Sequence, residues 1–88
     1  MKKLNKFDKI EVKWLDSNHD TGWVKEDYYE KNAEDALEHY TCGYFLNYTK
    51  RAMNIIQSKT VYRDKKGLCN VDSMMQIPKK VIISIKKI

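Results

Sequence analysis

Apolar residues occupy every second position at Ile10, Val12 and Trp14, with Glu11 and Lys13 between them. This period of two, carried by β-branched and aromatic side chains, predicts a strand with one buried face. Asp16-Ser-Asn-His-Asp-Thr-Gly22 ends it with residues that bond back to the backbone or tolerate unusual φ. Trp23 and Val24 form the return of that loop, and Lys25–Lys31 (KEDYYEK) reads as loop or a ragged helical turn. Ala33, Ala36, Leu37 and Tyr40 fall at i, i+3, i+4 and i+7, which predicts a short helix with one narrow apolar stripe. Asn32 is its N-cap and Asp35 a weak form of the capping-box acid. Glu34, Asp35 and Glu38 then face water.

The second half is richer in β-formers. Tyr40–Thr49 predicts a strand in which Gly43 marks a bulge or bend. Lys50 and Arg51 form a polar tip, and Ala52–Val61 is the partner strand of a hairpin. Tyr62–Asn70 is a basic loop turning at Gly67, Val71–Ile77 a further strand, and Pro78 its stop. Val81, Ile83 and Ile85 alternate with Ile82, Ser84 and Lys86 as the last strand. Five short strands and one short helix predict a mainly β fold, a bent five-stranded barrel of the SH3-like or Sm-like kind. Residues 1–88 form one domain, with residues 1–9 a basic lead-in expected to fray.

Composition is that of an ordinary globule, 42% hydrophobic and 33% charged. A chain this short has a thin core, and self-association would reinforce it. No apolar run approaches the length of a membrane-spanning helix, and no secretory h-region follows the basic N-terminus. Cys42 and Cys69 are therefore expected to be reduced thiols in a cytoplasmic protein. The net charge of +5 is unevenly distributed: Met1–Lys13 carries +3, Asp16–His39 −6, Tyr40–Lys66 +5 and Gly67–Ile88 +3. An acidic band inside a basic chain favours head-to-tail self-association or anion capture on the basic side.

Three blocks, in order, carry a resemblance. Val12-Lys-Trp-Leu-Asp-Ser17 with Gly22-Trp23 resembles an opening V-x-W-x-D-S…G-W. Gly43-Tyr-Phe-Leu46 with Ile55-Ile-Gln-Ser58 resembles a middle G-Y-L-L…L-A-Q-S. Met75-Gln-Ile-Pro78 with Ile82 and Ile85 resembles an ending M-x-I-P-x-x-x-I-x-x-I. Together they resemble a family of small, largely uncharacterised proteins encoded by bacteriophages and prophages. The resemblance implies a cytoplasmic accessory protein and brings no catalytic residues with it. The chain departs from the family pattern in Tyr28–Glu38 and Arg63–Gly67.

The chemistry-bearing residues point to binding, not catalysis. His39 and Cys42 lack the further paired ligands of a zinc site, and neither Cys42 nor His19 with Asp20 completes a catalytic constellation. No phosphate-binding glycine motif exists among three glycines. No enzyme, metal or cofactor is expected. The basic loops are the main candidates: Arg51 after Tyr48, and Arg63, Lys65 and Lys66 after Tyr62, with Lys50, Lys79 and Lys80 nearby. Arginine offers a planar fork for phosphate and tyrosine a stacking face for a base. Trp23 at the loop end is a candidate contact residue. Tyr28, Tyr29, Glu34 and Glu38 are candidates for docking a partner protein.

The phage setting that the resemblance implies makes the expected function inhibition of a host antiviral defence by stoichiometric binding. The target is either a nucleotide signal, such as a cyclic nucleotide, held by a homo-oligomer, or a host defence protein. The alternatives are a nucleic-acid-binding module, which the positive charge favours, and a virion assembly adaptor.

Overall fold

A computed structural model describes residues 1–16, 23–32 and 37–88. The elements are β1 (Lys9–Asp16), α1 (Glu26–Asn32), β2 (Leu37–Tyr48), β3 (Ala52–Lys59), β4 (Val71–Pro78), a 3-10 turn (Lys79–Val81) and β5 (Ile82–Lys87). The strands form one antiparallel sheet in the order β4-β3-β2-β1-β5. The fold is mainly β, as the alternation predicts. The first four strands follow one another as a meander. β5 crosses back to the free side of β1, so β4 and β5 are the two edges.

The predicted helix after Asn32 is corrected. Leu37–Tyr40 belong to β2, and residues 33–36 lie outside the described ones. The i, i+3, i+4, i+7 spacing over eight residues is a local signal, and long-range strand pairing overrides it. Asp16 faces Leu37, Leu15 faces Glu38 and Trp14 faces His39. The helix forms instead over Glu26–Asn32, with Glu26 and Asp27 in its first turn and Lys31 in its last, the order that suits the helix dipole. Asn32 closes that helix rather than capping the next one.

Alternation on β1 and β2 sets the core. Ile10 and Val12 are fully buried and lie opposite Gly43 and Thr41. Phe45, Met53, Ile55 and Ile77 complete the cluster, with Trp14, Tyr48, Met75, Ile82 and Ile85 packed around it. Full burial of each such side chain is worth about 1.5–3 kcal/mol. On β3 the run Met53-Asn-Ile-Ile56 is buried on both faces. Ile82 and Ile85 turn inward while Ile83 stays exposed, because a register shift at Lys13/Trp14 places Ile82 opposite Trp14. The bulge expected at Gly43 lies further along, between Phe45 and Asn47. Gly43 stays in register and serves close approach: a Cβ there would sit 2.4 Å from Ile55 Cγ2 and 2.8 Å from the Ile56 carbonyl oxygen.

The basic lead-in, expected to fray, is tied down. The Phe7 amide donates to the Phe45 carbonyl at 2.6 Å, and the Phe45 amide to the Asp8 carbonyl at 2.8 Å. Leu4 packs on the core, and the Tyr48 hydroxyl donates to the Lys2 carbonyl at 2.6 Å. Backbone hydrogen bonds and the Leu4 side chain supply the anchorage.

The radius of gyration is 17.4 Å, against about 12 Å for a compact chain of this length. Leu15, Leu37 and Tyr40 on β1 and β2, and Trp23, Val24 and Tyr28 between these strands in the chain, are all exposed. No helix among the described residues is long and apolar enough to cross a membrane.

Candidate anion-binding site

The basic side chains gather at the two ends of β3. At its start, the β2–β3 turn is closed by the Thr49 amide donating to the Ala52 carbonyl at 2.9 Å and the Ala52 amide donating to Thr49 Oγ1 at 3.2 Å. That turn presents Lys50 and Arg51. The Lys79 amide donates to the Arg51 carbonyl at 2.8 Å, which brings the 3-10 turn alongside. Lys50, Arg51, Pro78, Lys79 and Lys80 thereby line a cavity of about 400 Å³. Lys79 Nζ stands 5.2 Å from the centroid of the Tyr48 ring, an attractive cation–π placement. Burial pushes the Tyr48 phenol up, so it stays a protonated donor to Lys2.

At the other end, three cations surround the ring of Phe7. Lys59 Nζ lies 5.3 Å, Lys6 Nζ 5.6 Å and Arg63 Cζ 5.7 Å from its centroid. Lys59 also stands 5.7 Å from the Tyr44 ring. Phe7 itself has φ 69°, a left-handed conformation costing an L-residue roughly 1–2 kcal/mol. Its hydrogen bonds to Phe45 and the adjacent Asn5–Asp8 turn hold it there. Arg63 is fixed by its own loop: Nη1 donates to the Gly67 carbonyl at 2.8 Å. Asp64 accepts the amides of Lys66 and Leu68 at 2.8 and 2.9 Å, and Gly67 takes the left-handed φ of 80° that the turn needs. Lys6, Phe7, Leu46, Arg63, Leu68, Cys69 and Val71, among others, line a cavity of about 290 Å³. Lys59 borders the neighbouring cavity of about 190 Å³, which shares Val71.

None of these lysines and arginines forms an ion pair among the described residues. The pairs there are Lys13–Glu38, Lys31–Asp27, His39–Asp16 and Lys87–Asp8.

The predicted ligand set is therefore divided. Tyr48 and Arg51 lie at the start of β3. Tyr62, Arg63, Lys65 and Lys66 follow its end, roughly 23 Å away along seven strand steps. Tyr62, Lys65 and Lys66 are exposed, and only Arg63 of that group reaches the Phe7 cluster. Trp23 is fully exposed, remote from both sets in the fold's connectivity. In the predicted partner set, Tyr28 and Tyr29 pack edge to face on α1 with centroids 5.9 Å apart. Glu38 is engaged at 3.1 Å by Lys13, and this contact holds the lysine's ammonium above its ordinary pKa. Glu34 lies outside the described residues. Sequence reasoning missed Lys6, Phe7 and Lys59; no local signal marks them, because the strand pairing of distant segments brings them together.

His39 and Cys42 point to opposite faces of β2, since three steps along a strand reverse the side. His39 stacks on Trp14 at 5.1 Å, on the core side. Cys42 is exposed on the outer face with Sγ 3.7 Å from Glu11 Oε2. Desolvation first, and the Glu11 carboxylate second, push its thiol up, which disfavours the nucleophilic thiolate. No metal-ligating cluster occurs among the described residues, and the loop with His19 and Asp20 lies outside them.

No protein-family model, curated protein or solved structure matches the chain.

Proposed function

We propose that this protein acts by stoichiometric binding of an anionic, nucleotide-type ligand. In the setting its family resemblance implies, that makes it a phage-encoded cytoplasmic inhibitor of a host defence signal. The observation that carries this reading is the cavity lined by Lys50, Arg51, Lys79 and Lys80, whose cations have no ion-pair partner among the described residues. An anion entering there is attracted by four positive charges, and Arg51 offers a planar fork to a phosphate. The exposed apolar residues of β1, β2 and the segment between them supply a surface for self-association. The bent SH3-like or Sm-like class belongs to this proposal too, supported by the strand order and the 3-10 turn before β5. Native mass spectrometry with added cyclic nucleotides tests the reading. The expected result is an oligomer with bound nucleotide, lost in Arg51→Glu. A monomer without affinity for any cyclic nucleotide sinks it.

The second reading is nucleic-acid binding, favoured by uncompensated cations at both ends of β3. Gel shifts at two salt concentrations separate the two, because phosphate-backbone binding weakens steeply with salt. Absence of any shift at low salt removes this reading.

A further inference from the structure

The geometry points to a second, independent site at the end of β3: a pocket for the phosphoryl group of a small organic phosphate ester, built by Lys6, Lys59 and Arg63 around Phe7. It does not rest on the Arg51 cavity and stands if that reading fails.

Two observations carry it. First, three cations sit within 5.7 Å of one ring centroid. Their separations therefore stay below about 11 Å, near the screening length at physiological salt. The cation–π attraction of one ring is modest, and no carboxylate among the described residues forms an ion pair with the group. Asp64, next to Arg63, directs its carboxylate at the Lys66 and Leu68 amides of its own loop; Asp8, next to Phe7, is engaged by the Asn5 amide and Lys87; Asp72 borders the cavity beside Lys59. Second, the ring and the guanidinium are both held in place before any ligand arrives. Phe7 is fixed in a left-handed conformation by backbone bonds to β2, and Arg63 by the Gly67 carbonyl. Strained backbone of this kind concentrates at functional sites.

The chemistry selects the ligand. Three separate donors suit the three peripheral oxygens of a phosphate monoester better than the two of a carboxylate, and arginine adds a planar fork. Leu46, Leu68 and Val71 line the same cavity as Lys6 and Arg63, with Lys59 on the adjoining cavity that shares Val71, and offer apolar surface to the organic part. A volume of about 290 Å³ admits a small ester and not a polymer.

The test uses the full chain with phenyl phosphate, inorganic phosphate and benzoate, followed by titration calorimetry and amide chemical shifts. Phenyl phosphate is expected to bind saturably, tighter than either fragment, with shifts centred on Phe7 and Gly67. Lys59→Gln, half-buried, and Arg63→Gln, exposed, should each weaken it about tenfold or more while the amide spectrum away from the pocket keeps its folded dispersion. Arg51→Gln, at the opposite end, should leave it unchanged. The assignment is overturned by the absence of saturable binding below about 10 mM, by equal affinity for inorganic phosphate or benzoate, or by a loss in Arg51→Gln matching that in Lys59→Gln.

Discussion

Replacing Gly43 by alanine tests the close approach that bends β3 over β2. The added Cβ falls 2.4 Å from Ile55 Cγ2 and 2.8 Å from the Ile56 carbonyl oxygen. Carbon contacts are optimal at about 3.5–4.0 Å, so the first gap is short by more than 1 Å. Ile55 is fully buried and cannot swing away, and the Ile56 oxygen is backbone in a strand paired through Tyr44↔Ile56. Overpacking costs about 1–3 kcal/mol in general. Two simultaneous clashes, one against backbone, place Gly43→Ala at the upper end, about 3 kcal/mol. For a domain of this size that lowers the melting temperature by about 12–24 °C. Gly67→Ala is the internal control. Nothing lies within 4 Å of a Cβ at Gly67, but its φ is +80°, so its cost of about 1–2 kcal/mol is conformational alone. Circular-dichroism melts of both variants, and of Gly43→Ala combined with Ile55→Ala, give the comparison. The double variant should lose less than the sum of the single losses, because the new methyl occupies space the isoleucine leaves. If Gly43→Ala costs no more than Gly67→Ala, the close-approach argument is wrong.

Asn54 is 4% exposed; its Nδ2 donates to Asn47 Oδ1 at 2.7 Å while its own Oδ1 has no partner. Asn47 is exposed and can return its oxygen to water, so Asn54→Leu should stabilise the fold by about 1 kcal/mol in urea denaturation; a comparable loss would show that Oδ1 is satisfied in solution. Asp8 accepts the Asn5 amide at 2.8 Å and faces Lys87 at 3.4 Å, and these contacts hold its carboxyl below the ordinary value of 3.8. A lowered folded-state pKa stabilises the fold above the unfolded value and loses that contribution as pH falls through the folded one. Thermal midpoints should therefore decline on acidification below about pH 4, and Asp8→Asn should flatten that decline; an unchanged profile would refute the linkage.

The strands were legible where local chemistry and long-range pairing agree. Alternation marks β1, and the hairpin reading of Ala52–Val61 marks β3, although its burial on both faces from Met53 to Ile56 comes from the structure. Pro78 ends β4 and the following lysines make the 3-10 turn. What sequence could not decide was non-local. The residues from Leu37 to Tyr40 fit helix or strand, and only their pairing with Trp14–Asp16 selects the strand. The lead-in looks solvated residue by residue, yet Phe7 bonds to Phe45, far along the chain. For the candidate site, residue types were legible and their grouping was not. Arg51 and Arg63 look equivalent as basic loop residues, but a buried strand separates them.

That separation follows from burial. The middle of β3 is closed on both faces, and an unpaired ammonium placed there would carry a desolvation cost of several kcal/mol. The cations of β3 and its flanking turns therefore lie beyond the buried run, at its two ends, roughly 23 Å apart along the strand. A small anion engages one end at a time, so removing charge from one end affects only the ligand bound there. A nucleic acid tracking across the face engages both. Removing one phosphate-contacting charge at either end would then reduce the slope of log affinity against log salt by about 0.7–0.9. Measuring that slope for Arg51→Gln and Lys59→Gln separately distinguishes the architectures. Equal reductions require one continuous polyanion, whereas small-ligand binding lost in one variant and intact in the other requires two sites.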